Sequence, residues 1–316
     1  MKKILIYEYI TGGGLLNEDL TSNLMFEARM ILSSLIDSCN RSNKYDYRYF
    51  LDYRLTGMHS DKSIVTHETK DLYNLNLIKK FDYVLPIIPE INLDLLMYVK
   101  YLEKNKINKI ISNSKTIEIC SDKMKFYRYL NKYNLPIIPT YCSLNSKSNS
   151  KKYILKDKYG AGCSYVRIAN KKDLKHHYSK DKVIQPFIDG DNYSLSVFFG
   201  TDDYRLLTIN QQHFDINNDM IKLRGLTINI HHKLYLNILS AISEIQECLP
   251  GLYGFIGIDI LLKDKQIFIV EINPRITTSY VGLNKTIGCN MIDLIANYNY
   301  IKNVITSKKY YIENNE

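Results

Sequence analysis

Apolar residues follow two periods along this chain, and the dominant one changes partway. Residues 3–9 form an almost unbroken apolar run of strand length, followed by a loop at Gly12-Gly13-Gly14. Further on, Leu24, Ala28, Ile31, Leu32, Leu35 and Ile36 recur at helical spacing, with Ser22 positioned to cap the helix. Further strands are predicted at 47–50, 83–88 and 109–112, and a helix at 93–105. Strands alternating with helices predict a parallel α/β sheet over this part of the chain. Ligands of such sheets gather at the carboxyl ends of the strands. Gly12 to Gly14 and Pro89-Glu90 both follow strands, so both are expected to face that crevice.

Beyond residue 113 the pattern becomes α+β. Ser121-Asp122-Lys123 opens a helix carrying Met124, Tyr127 and Leu130, and the polar segment 143–150 reads as a surface loop. A hairpin is predicted from 152–156 and 165–168, joined through Gly160-Ala161-Gly162. A short helix near 171–178 and a strand at 183–188 follow. Closely spaced strands at 193–199, 204–211, 221–223, 255–262 and 266–273 predict antiparallel pairing, with helices at 231–248 and 289–300. No internal repeat is present. The division expected is 1–113, 114–184 and 185–316.

Composition narrows the class. The 316 residues are 45% hydrophobic and 24% charged, which suits a folded chain rather than a disordered one. The net charge of +9 favours anionic ligands, but the lysines are scattered, so no nucleic-acid partner is expected. None of the six cysteines forms a CxxC pair, which points away from zinc or a disulfide framework and toward a reducing compartment. Glu8 interrupts the apolar start, so residues 1–10 read as a strand rather than a signal peptide. No stretch has the length and apolarity of a membrane span. A cytoplasmic protein with no membrane partner is expected.

The strongest chemical signal is Asp259 with Glu271 and Asn273. Alternation along the strand 266–273 puts Glu271 and Asn273 on one face. A three-residue turn at 264–266 would set Asp259 opposite Glu271. Oxygen ligands converging in an apolar hairpin suit Mg²⁺, which binds through one or two carboxylates plus substrate phosphates; the plainer reading is an ordinary polar hairpin. A second signal is Lys156 and Lys158 ahead of Gly160-Ala161-Gly162-Cys163-Ser164, where glycines let backbone N–H groups approach a phosphate. An ordinary glycine turn is the alternative, and Cys163 reads as a small filler. Lys123, just inside a capped helix, either meets an anion or is a surface lysine. The segment 183–194, containing Gln185, is an apolar connector that either holds a planar ligand or simply joins two halves. At the other crevice, Glu8 and Glu90 could hold or deprotonate an ammonium, and Gly12, Gly13 and Gly14 could offer N–H groups to an acid, unless they merely turn the chain.

The order of these residues resembles the ATP-grasp superfamily over about residues 115–300, with VEINPR the most characteristic segment. The resemblance implies ATP and Mg²⁺ (Mn²⁺ as a substitute) as cofactors and an ATP-grasp fold with a small lid. It implies that Lys123 and Lys156 contact ATP phosphates beneath the lid loop Gly160, Gly162 and Ser164. Gln185, Phe187 and Ile188 would hold adenine, the last two through backbone. Asn192 stands where many members have a ribose-binding Glu, and a one-residue register shift would bring Asp191 there instead. Gln185 likewise replaces a frequent Glu. Asp259, Glu271 and Asn273 would hold the metal, while Arg275, joined by Arg224, would stabilise a phosphorylated intermediate. Tyr7 to Gly14, Leu85 to Glu90, Asn210-Gln211-Gln212 and Arg224-Gly225 resemble the tyramine–glutamate ligase group of methanofuran-type cofactor biosynthesis. That likeness implies small-molecule carboxylate and amine partners, an acyl-phosphate route and, as in many members, a homodimer. The rival reading is a non-catalytic nucleotide-binding protein that keeps the fold.

Overall fold

The computed structural model describes residues 1–20, 24–42, 44–143, 150–160, 165–287, 290–296 and 308–313. The first part is β1 (Lys2–Glu8), α1 (Leu24–Arg41), β2 (Tyr45–Asp52), β3 (Ser63–Thr66), α2 (Leu75–Ile78), β4 (Tyr83–Ile87) and α3 (Asp94–Lys104). Its four strands are parallel, in the order β3-β2-β1-β4. β1 is central and covered on both faces, which is why Ile4, Leu5, Ile6 and Tyr7 form a continuous apolar run. Helix α1 buries Ala28, Ile31, Leu32 and Leu35, and α3 buries Leu95, Leu96, Tyr98, Val99 and Leu102. Each fully buried leucine or isoleucine contributes about 1.5–3 kcal/mol.

The chain continues through α4 (Ser114–Ser121), α5 (Lys123–Asn131), β5 (Lys152–Asp157), β6 (Val166–Asn170), α6 (Leu174–His177) and β7 (Lys182–Pro186). Then come β8 (Asp191–Phe199), β9 (Tyr204–Asn217), β10 (Met220–Ile228), α7 (Tyr235–Cys248), β11 (Gly254–Lys263), β12 (Gln266–Asn273), α8 (Ser279–Thr286), α9 (Met291–Ala296) and β13 (Tyr310–Glu313). One nine-stranded sheet runs β12-β11-β8-β9-β10-β6-β5-β7, with β13 on β10. Its pairings are antiparallel. Strands β5, β6 and β7 have their own small core around Tyr153, Leu155 and Ile184. Residues of α1 share another core with Phe255, Tyr280 and Leu283, so the two sheets close on a common layer. That layer brings the carboxyl ends of the parallel strands up to the end of β12, where Arg275 meets Glu90.

The architecture is the expected one, with local corrections. No strand forms at 109–112: Lys109 makes a single bridge to Val84. Strand β3, helices α4 and α8, and strand β13 were not anticipated. Strands β9 and β10 extend well past 204–211 and 221–223, forming a long hairpin that reaches the lid. The cap of α5 is Asp122, whose Oδ1 accepts from the N–H groups of Met124 and Lys125. Ser121 instead ends α4 and donates to the Ile117 carbonyl. Ser22, expected to cap α1, lies outside the described residues, as do residues 289 and 297–300 of the helix expected there. Among the described residues, Cys39, Cys120, Cys142 and Cys248 are free, and no helix is long and apolar enough to cross a membrane.

The glycine loop after β1 is a turn held by its own backbone. The N–H groups of Gly12 and Gly14 donate to the carbonyls of Glu8 and Tyr9, at 2.8 and 2.7 Å. Those two amides are therefore turned inward, not toward a ligand. Gly13 has φ +97°, and a Cβ there would stand 2.4 Å from Thr66 Oγ1. That hydroxyl in turn holds the Gly12 carbonyl at 3.0 Å. Gly13→Val is therefore expected to lower unfolding free energy by about 2 kcal/mol or more, read as a fall in the denaturation midpoint. An unchanged midpoint would show that the loop relaxes freely.

Candidate active site

The carboxylate pair is made by a turn and a bulge together. Strands β11 and β12 join through a two-residue turn, Asp264 and Lys265, both at positive φ (49° and 68°). This differs from the three-residue turn expected, and alone it would set Asp259 opposite Val270. A bulge between Asp259 and Ile260 makes Val270 the extra residue and advances the register, so Asp259 pairs with Glu271 after all. Val270 and Glu271 both line the adjoining cavity as a result.

That cavity, about 360 Å³, lies between the lid strands and the main sheet. It takes in Lys123, Lys156, Gly160, Gln185, Phe187, Ile188, Asn192, Asp259 and Glu271, residues drawn from seven separate stretches of sequence. Lys123 Nζ donates to the Gly160 carbonyl at 3.0 Å and lies 3.9 Å from Glu271 Oε2. Asn273 Nδ2 donates to Asp259 Oδ2 at 3.3 Å, and Gln212 Nε2 to Asp259 Oδ1 at 3.1 Å. Burial pushes Asp259 well above the usual carboxylate range, and the neighbouring Glu271 charge pushes it further. Burial acts on Glu271 too, but the ammonium groups of Lys123 and Lys156 outweigh it, and its pKa falls. The two carboxyls titrate as a coupled pair, Asp259 pushed up and Glu271 held down.

The donor set fits Mg²⁺. Two carboxylates and a carboxamide are too few for a closed protein cage, and among the described residues no group of three or more His, Cys, Asp or Glu is arranged to hold a metal. An ion that takes one or two carboxylates and completes its shell with phosphate oxygens suits such a site.

Several expected residues stand elsewhere. Asp191 is exposed and does not line the cavity, whereas Asn192 does. The alternation of β8 separates these neighbours by face. Arg224 is the unpaired residue of a bulge in β10; its side chain is 56% exposed and lies 4.0 Å from Asp215. The bulge turns it to solvent rather than to Arg275. The Phe187 N–H donates to the Lys152 carbonyl at 2.9 Å, so it is taken by the lid sheet. Gly162 and Ser164 lie outside the described residues.

On the other side of Arg275, its Nε and a terminal nitrogen both donate to Glu90 Oε2, at 3.1 and 2.8 Å. Glu90 is buried, and among the described residues its Oε1 has no hydrogen-bond partner. Glu8 is also buried, and its Oε2 accepts from the N–H and hydroxyl of Thr11 at 2.7 and 2.6 Å. Burial raises the Glu8 pKa despite those bonds and the nearby Arg275 charge.

Residues without an earlier role complete the cavity. Gln212, Phe214 and Ile216 alternate on one face of β9 and, with Ile221, wall the cavity. Their period of two was legible, but strand length was not. Asp122 binds Lys158 Nζ at 3.2 Å and the Tyr159 hydroxyl at 3.0 Å, tying α5 to the lid.

The family profile of the ATP-grasp domain matches residues 120–279, a span that holds the lid strands, both buried lysines and the carboxylate pair. The chain belongs to the ATP-grasp family. It is 27% identical over 290 residues to a tyramine–L-glutamate ligase of Methanocaldococcus fervens, covering 89% of each chain. It is also 27% identical to a tyramine–L-glutamate ligase of Methanocaldococcus jannaschii, covering 89% of this chain and 84% of that one. Among solved structures, an ATP-grasp superfamily protein from Archaeoglobus fulgidus superposes with a TM-score of 0.80 at 23% identity, over 99% of this chain and 92% of the other.

Proposed function

We propose that this protein is an ATP- and Mg²⁺-dependent ligase that joins a carboxylate to a primary amine through an acyl phosphate. Glutamate and tyramine are the first candidates, from the names of its relatives, and methanofuran-type cofactor synthesis is the setting their group implies. The observation that carries the reading is the Asp259–Glu271 pair facing Lys123 and Lys156 across one cavity. Phosphoryl transfer demands positioning and charge neutralisation more than covalent help. Lys123 and Lys156 supply fixed cations for the phosphates. Asp259, Glu271 and Asn273 would hold Mg²⁺, which would neutralise phosphate charge when bound. Gln185 and the connector through Ile188 receive the base, and Asn192 the ribose. Arg275 stabilises charge on the phosphorylated carboxylate. Glu90, braced on Arg275 with Oε1 open, is the acid nearest that centre to receive an ammonium or its proton. In this reading residues 1–113 form the acceptor side, 114–184 the lid and 185–316 the metal platform.

The test is ADP release across a panel of carboxylates and amines, beginning with glutamate and tyramine. Release that requires both partners and yields an amide supports the reading. Nucleotide binding without turnover for any pair would favour a non-catalytic binder.

A further inference from the structure

The lid connector presents a purine with a fixed hydrogen-bonding pattern, set by a residue outside the connector. Gln185 lies at the cavity and is buried, with Nε2 donating to Thr140 Oγ1 at 2.8 Å. The Thr140 hydroxyl, itself buried, donates to the Ile138 carbonyl at 3.0 Å. A hydroxyl has one proton, and a carbonyl can only accept. Thr140 therefore spends its proton on Ile138 and can only accept from Gln185. Turning the amide over would draw the Thr140 proton onto Oε1 and take it from the Ile138 carbonyl, a hydrogen bond lost in a buried site, so the NH₂ end stays on Thr140. Oε1 is the end left for a ligand.

The surrounding backbone holds this arrangement. Tyr141 and Ile184 exchange both main-chain hydrogen bonds, at 2.9 and 2.8 Å, which sets Thr140 beside Gln185. The next two connector residues add no competing donor. Pro186 has no N–H, and the Phe187 N–H is held by the Lys152 carbonyl. Pro186 and Phe187 therefore add no donor at the cavity, and the Gln185 NH₂ group, which could supply one, is held by Thr140.

Resting on the reading of this cavity as the nucleotide site, we propose that Thr140 is a positioning residue for nucleobase choice. It locks the Gln185 carboxamide with its oxygen toward the cavity, so that a purine with a 6-amino group is accepted and a 6-oxo purine refused. Adenine donates at that position, whereas hypoxanthine and guanine accept there. A 6-oxo base would meet Oε1 acceptor to acceptor, and turning the amide to help it would cost the Thr140–Ile138 hydrogen bond.

The experiment is a comparison of ADP and inosine diphosphate affinities by calorimetry with Mg²⁺, since these two differ in the base only in the 6-substituent and the proton on the adjacent N1, and the change in their ratio on substituting Thr140 isolates the Gln185 contribution. The wild type should prefer ADP. Thr140→Val keeps the volume but frees the amide to turn, and the ADP preference should fall by about tenfold or more. Thr140→Ser should restore it. Gln185→Glu has only acceptor oxygens, so its preference should persist, and adding Thr140→Val to it should not lower that preference. A merely structural Thr140 would weaken both nucleotides equally and leave the ratio unchanged, which overturns the inference. Loss of preference in Gln185→Glu alone would also overturn it, whatever the folding of the Thr140 variants. Failure of the wild type to bind ADP would remove the nucleotide reading itself, an outcome distinct from either.

Discussion

Glu271→Gln is expected to reduce ligase turnover by at least about a hundredfold while leaving the fold intact. The substitution keeps side-chain volume but removes the charge that the Asp259–Glu271 pair retains. Lys123, 3.9 Å away, loses its carboxylate partner, and a metal would lose one of two anionic ligands. Stability should change little, because the charge beside the buried Asp259 also disappears. Calorimetry separates the effects: ADP affinity should fall in the presence of Mg²⁺ and stay close to wild type without it. Because burial and the Glu271 charge raise the Asp259 pKa, metal-dependent binding in the wild type should strengthen as pH rises through it, a carboxylate being a better metal ligand than the acid. A Glu271→Gln variant with near-native rate at limiting Mg²⁺ would refute the metal role of the hairpin.

Lys156→Met should weaken ATP binding and slow turnover by about a hundredfold or more. Lys156 ends the buried part of β5 and lines the cavity, and its charge acts on both Asp259 and Glu271. Methionine preserves most of the stem packing but removes the cation that would meet the phosphates. The Glu271 pKa should rise, because one of the two ammonium groups that hold it down is gone. Unaltered ATP affinity and rate would show that Lys156 serves the acid pair alone.

The two arms of this site differ in how far they could be read without coordinates. The acidic hairpin, Asp259 with Glu271 and Asn273, was legible because each residue interrupts an apolar strand, where a polar group needs a reason; Lys123, Lys156 and Gln185 each had a plainer reading, and only the resemblance to a known family put them in one series. Lys123, Lys156, Gln185, Asp259 and Glu271 line one cavity, and Asn273 joins them through its hydrogen bond to Asp259. The acceptor side was less legible. Gly12 to Gly14 looked like free donors, yet the amides of Gly12 and Gly14 close their own turn. Glu90 looked like an acid waiting for an amine, yet one of its oxygens is already committed to Arg275. Both facts depend on contacts that have no local signature.

By itself the sequence determined periodicity, and with it the parallel α/β first part, the antiparallel remainder and the chemical character of the acidic hairpin. Those follow from side-chain alternation and burial, which act over a few residues. Tertiary structure alone decided the rest. The bulge at Val270, not the turn, pairs Asp259 with Glu271, and a second bulge turns Arg224 to solvent. Strand alternation was enough to put Asp191 and Asn192 on opposite faces, but only the pairing of β8 with β11 shows which face is the cavity. Thr140 meets Gln185 only through a hydrogen bond that spans 45 residues of chain. Register and long-range hydrogen bonds depend on which strands meet, and that is decided by the collapse of the whole core rather than by any one segment.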